Sequence, residues 1–298
     1  MVDSSRNFAR VEWLTLGLIL LTTAAWAGCV FGLAALSPTL AVLALAPIIA
    51  LHSSLQHEAI HGHPTRHAWL NAALVWPAFT LVIPYARFRD SHLAHHHDER
   101  LTDPYDDPET NYLDPEVWGR LPRWAQLLLR ANATLAGRMV LGPAIGTVLW
   151  ALGDLRQSER AAVLGWLTHI PPLVAVLVLV QASPLSVWAY ALAAYMALSL
   201  LKIRTFLEHQ AHQRASGRTV IIEDRGPLAF LFLNNNLHVV HHMHPQVPWY
   251  ALPRVYARKP QHYLRRNGGY LYRSYAEVFR RHLWCAKDPV AHPLWPRR

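Results

Sequence analysis

The chain has 298 residues, 52% of them hydrophobic and only 16% charged, against about 25% charged in an ordinary soluble domain. Length alone would allow two soluble domains, but Trp13 to His57 and Ala161 to Leu201 contain no Lys, Arg, Asp or Glu at all. A bilayer-crossing helix needs about 20 apolar residues, so each block holds two spans and a turn, which excludes a soluble fold.

The formal net charge of +9 sits in the tail, where residues 251–298 hold eleven Lys/Arg against two acids. A basic tail after membrane spans fits cytoplasmic retention and attraction to anionic headgroups. Tethered to a membrane and carrying Trp284 and Trp295, it does not read as a nucleic-acid-binding segment, so no nucleic-acid partner is expected. Cys29 and Cys285 make neither a disulfide framework nor a cysteine metal site.

In chain order, Pro38 divides the first apolar block into spans at about 13–36 and 38–56, and Gln181 to Pro184 divides the second at about 161–181 and 185–206. Arg6 and Arg10 precede the first span, Arg66 follows the second, Arg156 and Arg160 precede the third, and Lys202 and Arg204 close the fourth. Positive residues mark the inner side. The expectation is therefore one all-α membrane domain over 1–298, four spans in two hairpins, with cytoplasmic parts at about 57–160 and 207–298. Ala25-Trp26-Ala27 after Arg6 and Arg10 imitates a secretory cleavage site, but the apolar run continues past it. Trp69–Ile83 and Met139–Leu152 are short for spans and read as interfacial or re-entrant helices. No G-x-G-x-x-G or P-loop is present, so no nucleotide site is expected.

Histidine is the excess: fifteen of nineteen lie within residues 52–97 and 209–244. His57-Glu58-Ala59-Ile60-His61 ends the second span, and residues four apart share a helix face, so both imidazoles can address one metal. His92-Leu93-Ala94-His95-His96 and His238-Val239-Val240-His241-His242 repeat one H-x-x-H-H spacing that keeps three rings within about 100° of arc. The fourth span exits through His209 and His212. Eight box histidines exceed the ligands of one zinc site and indicate two ions, with His209 as a ninth ligand. Imidazole alone does not choose among Zn, Cu, Fe and Ni. His212 and Asn234 are possible ligands, and Glu58, Asp90, Asp103, Asp106 and Asp107 are candidate acceptors for the far ring N–H. His63, His67, His97 and His244 read as loop or supporting residues and His52 as a core hydrogen bonder. His169, His262, His282 and His292 read as structural or surface.

Three boxes in this order between paired spans resemble the integral-membrane fatty acid desaturase and hydroxylase superfamily, over roughly residues 40–260. The run from His238 to Pro253 is similar to the third-box region of bacterial acyl desaturases, and carotenoid ketolases carry a related version. Asp103-Pro104 after box two also fits. The resemblance implies a diiron centre at the cytoplasmic ends of four helices, using O2 and two external electrons to remove hydrogen from an unactivated C–H bond. No separate side-chain acid or base is assigned. His57, His61, His92, His95, His96, His238, His241 and His242 would be ligands, with His209 matching the extra histidine near the fourth span. The His-Pro-Gly-Gly heme motif of fused members is absent, so a separate ferredoxin or cytochrome-type donor with its reductase is expected. An acyl-lipid or acyl-thioester substrate in a bacterial inner membrane completes the expectation.

Other readings are a membrane zinc metalloprotease, with His57–His61 as H-E-x-x-H and Glu58 as base, a metal transporter, or a hydroxylase or ketolase on the same scaffold. The protease leaves two H-x-x-H-H boxes unexplained. Transport favours ionisable groups at mid-bilayer, where only His169 would lie.

Overall fold

In the computed structural model, residues 11–96, 100–157 and 159–295 are described; Arg6, Arg10 and His97 fall outside them. Among the described residues helix dominates, and five helices are long and apolar enough to cross a membrane. The chain is an all-α integral membrane protein. Two compact units are distinguished, one from the N-terminal stretch through Tyr85 with Leu167–Ala197, the other from Ala86–Trp166 with Leu198–Arg298.

In the first unit, α1 (Trp13–Leu36) contains a π-turn at Gly28–Leu33. Ser37 ends it and caps α2 (Pro38–Ile60), its hydroxyl accepting from the Leu40 N–H, while Pro38 takes the first-turn position that needs no N–H. α1 exposes Leu14, Leu20 and Leu21 and buries Ile19 and Trp26, a lipid-facing side and a packed side. Trp26 stacks on Phe79 at 4.5 Å and donates to the Tyr190 hydroxyl, which donates to the Phe79 carbonyl. Each polar group is thereby satisfied in an apolar interior, where an unmet one is costly. Glu12 takes the His63 ring at 2.7 Å.

Two expectations change. Within Trp69–Ile83 only α3 (Ala68–Leu74) is a defined helix. The remainder is irregular backbone around a left-handed Leu81, whose carbonyl accepts from His169; such backbone survives at membrane depth when protein satisfies it. The Met139–Leu152 segment belongs to a longer helix, Leu135–Gln157 (α7 below). It gains span length because the helix continues past the apolar stretch through Arg138 and Asp154.

In the second unit, α4 (Tyr85–His95) carries box two, α5 (Pro115–Arg120) and α6 (Arg123–Asn132) follow a long acidic loop, and then comes α7 (Leu135–Gln157); α8 (Arg160–Gln181) and α9 (Val187–Thr205) run largely through the first unit, with the start of α8 and the end of α9 in the second. Arg87 of α4 pairs with Asp154 of α7 through two 2.8 Å bonds, and Trp166 donates to the same carboxylate. Gly165 leaves the room: a Cβ there would lie 2.6 Å from Arg87 Cδ. Beyond α9, β1 (Ile221–Ile222) pairs in parallel with β2 (Leu271–Tyr272), and α10 (Pro227–Leu231), α11 (His238–Met243), α12 (Leu252–Arg258), α13 (Pro260–Arg266) and α14 (Tyr275–His282) complete the unit. One core gathers Leu207, Val220, Phe232, Tyr270 and Val278, and a second gathers Ile221, Leu237, Val240 and Tyr256. Val220 N–H bonds to Glu208, and Val239 N–H to Val220, so the strand, the His209 loop and α11 are tied edge to edge.

Candidate metal centre

Helical spacing puts the first and fourth residues of H-x-x-H-H on one side of a helix. α4 presents His92 and His95 this way, and His96 follows one residue past its end, its N–H still bonded to the His92 carbonyl. α11 presents His238, His241 and His242. His209 comes from the loop after α9, held by its bridge to Thr219.

These seven histidines form two groups. His95, His209, His238 and His242 each offer a ring nitrogen within 4.8 Å of the others, and His92, His96 and His241 do the same. In the first group Nε2 of His209 lies 2.8 Å from Nε2 of His95 and 3.0 Å from Nε2 of His238. In the second, Nε2 of His96 lies 3.0 Å from that of His92 and 3.2 Å from that of His241. The groups adjoin: His96 and His242 stack at 4.3 Å. Two nitrogens about 2.1 Å from one metal and at right angles would be about 3.0 Å apart, so the spacing fits ligands. The box-one pair belongs to the first unit; His57 and His61 rings lie 4.8 Å apart at the end of α2.

The far side of the rings decides what the near side can be. His95 Nδ1 donates to Asp107 at 2.7 Å, His92 Nδ1 to Glu109 at 3.1 Å, and His238 Nδ1 to the Asn235 carbonyl oxygen at 3.1 Å. Asn235 in turn donates to Glu208, which pairs with Arg204 at 3.1 Å. A neutral ring that donates from Nδ1 has only a lone pair on Nε2. Lone pairs facing one another at 3 Å repel, and a cation between them removes the conflict. Carboxylate-backed imidazoles are the usual support of a metal-binding histidine, so the donor set fits one ion per group.

Electrostatics agree. Burial and the surrounding imidazolium charges hold His209 and His238 well below the usual histidine range, which keeps them neutral. Burial alone would also lower His95, but Glu109, Asp107 and Glu208 outweigh it and lift it to about 9. Burial would raise Glu109, yet His95 and His92 keep it well below the carboxylate range, whereas burial dominates at Glu208 and raises it. The carboxylates thus favour a cation at this spot: without metal they hold a proton on His95, and a metal ion would take that proton's place between His95 and the neutral His209 and His238.

The other sequence candidates stand elsewhere. Asp103 caps its own turn by accepting from the Tyr105 and Asp106 N–H groups, and Asp106 is exposed. Asp90 pairs with Arg89 and Arg87. The Asn234 amide donates to the Trp249 carbonyl, so its neighbour Asn235 is the residue on His238. His212 Nδ1 accepts from Arg214 N–H. Glu58 is buried, and its carbonyl takes the N–H groups of His61 and His63 at the end of α2. His52 packs on Phe79 at 4.4 Å, and neither ring nitrogen has a hydrogen-bond partner among the described residues; it is not the core hydrogen bonder expected. His244 meets Tyr263, His282 Tyr272, and His292 Thr102. Sequence reading missed Glu109, Glu208 and Asn235. The first two could have been found as the acid two residues beyond Asp107 and the acid beside His209.

Comparison with known proteins agrees with this arrangement. The family model described as fatty acid desaturase matches residues 32–275. A beta-carotene ketolase of Paracoccus sp. (strain N81106 / MBIC 01143) is 24% identical over 219 residues, covering 71% of this chain and 74% of the relative. The chain belongs to the fatty acid desaturase family and is an oxidoreductase.

Proposed function

We propose that this member of the fatty acid desaturase family is an O2-dependent diiron enzyme that introduces a C=C bond into a membrane-borne acyl chain. The observation that carries the reading is the pair of adjoining imidazole groups whose Nε2 atoms converge while carboxylates hold their Nδ1 atoms. His95, His209, His238 and His242 would hold one iron and His92, His96 and His241 the other, and the box pattern assigns His57 and His61 to the same ligand set. The two ions, when bound, would supply oxygen activation and hydrogen abstraction from a methylene.

The chain's own residues do the rest. Asp107, Glu109 and Asn235 fix which ring nitrogen carries the proton, so the lone pairs are aimed before metal arrives. Glu109 and Asp107 offset the charge of the ions in a buried setting. The apolar spans admit a lipid-soluble substrate and keep water from the reacting carbon. Two electrons come from an external ferredoxin or cytochrome-type donor, and the basic tail fits an inner-membrane protein with its site on the cytoplasmic side. Seven histidines of the second unit alone exceed what an H-E-x-x-H protease uses, which favours oxidation over zinc proteolysis.

The likeness to a beta-carotene ketolase supports a second reading, oxygen insertion into a carotenoid on the same scaffold. One experiment separates them. The chain is expressed in a host supplied with both saturated lipids and β-carotene, and lipids are profiled by mass spectrometry. Acyl chains two mass units lighter are the expected result. Carotenoids gaining oxygen, with acyl chains unchanged, would overturn desaturation.

A further inference from the structure

His209 is held differently from its neighbours. The rings of His95 and His238 are oriented by acceptors on Nδ1, but His209 Nδ1 is buried and has no hydrogen-bond partner among the described residues. Its side chain therefore takes its place from the backbone, which lies outside the named helices and strands and is held on one side by the bridge to Thr219.

The C-terminal tail supplies a second fixing. Lys287 Nζ donates to the His209 carbonyl and to the Tyr270 hydroxyl, lies over the Tyr270 ring, and is neutralised by Asp288 at 3.0 Å. Tyr270 donates to the Leu207 carbonyl at 2.6 Å. Asp288 accepts from the Tyr112 hydroxyl, which accepts from the Ala211 N–H. The loop is thus pinned before, at and after His209. The same tail reaches the acidic loop: Leu113 N–H donates to Val290, His292 N–H donates to Leu113, and the His292 ring meets Thr102. Thr102 N–H holds the second oxygen of Asp107, whose first is on His95.

We infer that Lys287 is a positioning residue for metal binding. It keeps the His209 imidazole with His95, His238 and His242, and residues 287–295 brace the two loops that complete that group. The inference rests on the diiron reading above.

The test measures iron in the detergent-purified full chain and its release to the chelator ferrozine. Wild type is expected to hold about two irons. In Lys287→Met one of the two should leave about 10–100-fold faster, the cost typical of losing a support to a metal ligand, while the other is unchanged. Lys287→Arg, which keeps the donor, should restore slow release. His209→Ala should speed the same iron, and adding Lys287→Met to it should speed it no further. Asp288→Asn, a milder loosening of the same brace, should accelerate that iron by a smaller factor, and serves if Lys287→Met does not fold. Unchanged release in both tail variants, or equal acceleration of both irons, would overturn the inference. A wild type without iron would instead remove the diiron reading beneath it.

Discussion

His95 and Asp107 stand 2.7 Å apart, Nδ1 against Oδ1, both buried, and the second Asp107 oxygen takes the Thr102 N–H at 2.8 Å. An acid gripped at both oxygens cannot swing away, so it orients the ring and aims Nε2 at the other imidazoles, where a metal ion would displace its proton. Asp107→Ala is expected to weaken metal retention about 10–100-fold. Asp107→Asn, which can still accept from Nδ1, should lose less. Chelator competition on the purified chain measures both, and equal retention in wild type and Asp107→Ala would show that the contact does not serve the metal.

Asn235 and Asn234 are adjacent in sequence yet have different tasks. Asn235 joins His238 to Glu208, while Asn234 holds the Trp249 carbonyl from a left-handed backbone at φ 57°. Asn235→Ala should lower iron content more than Asn234→Ala. The reverse order would return Asn234 to the ligand environment.

How far this was legible follows from the range of each interaction. Box two and box three share one five-residue pattern with histidines three and four apart, and a local spacing survives into the structure as shared faces on α4 and α11. Four of the five span-length helices were legible because missing charge is a composition signal, whereas α7 was not, since Arg138 and Asp154 interrupt its apolar run. The brace was not: Lys287 meets His209 across 78 residues and Asp107 reaches Thr102 through a turn, and no short pattern encodes such meetings. Asn235 was missed for Asn234 because one residue along a turn reverses which side chain faces the cluster.

His292 gives the tail a pH dependence. Its Nδ1 accepts from Leu294 N–H and its Nε2 donates to Thr102, a neutral-ring arrangement. Burial, then Arg218, holds its pKa below the ordinary 6.5. The unfolded chain therefore binds the proton more readily, so stability from this group is present above about pH 6.5 and lost as pH falls through that value toward the folded pKa. Amide exchange over 287–295 should quicken at pH 5.5 relative to 7.5, and His292→Gln should flatten the difference. Slower exchange at the lower pH would contradict the sign.

Arg87 and Asp154 are a bidentate pair with Asp154 only 6% exposed. Removing one partner leaves a buried charge uncompensated, at a cost of about 3–5 kcal/mol. Arg87→Met should lower the thermal midpoint markedly, and Arg87→Met with Asp154→Leu should recover much of it. No recovery in the double variant would place the cost in lost packing instead.

The central claim meets its most direct test in the metal itself. Purified, iron-supplemented chain is analysed for all transition metals by mass spectrometry, beside His95→Ala and His241→Ala. Close to two irons per chain in wild type, with about one lost in each variant, is the predicted result. A single zinc that survives both substitutions would contradict it.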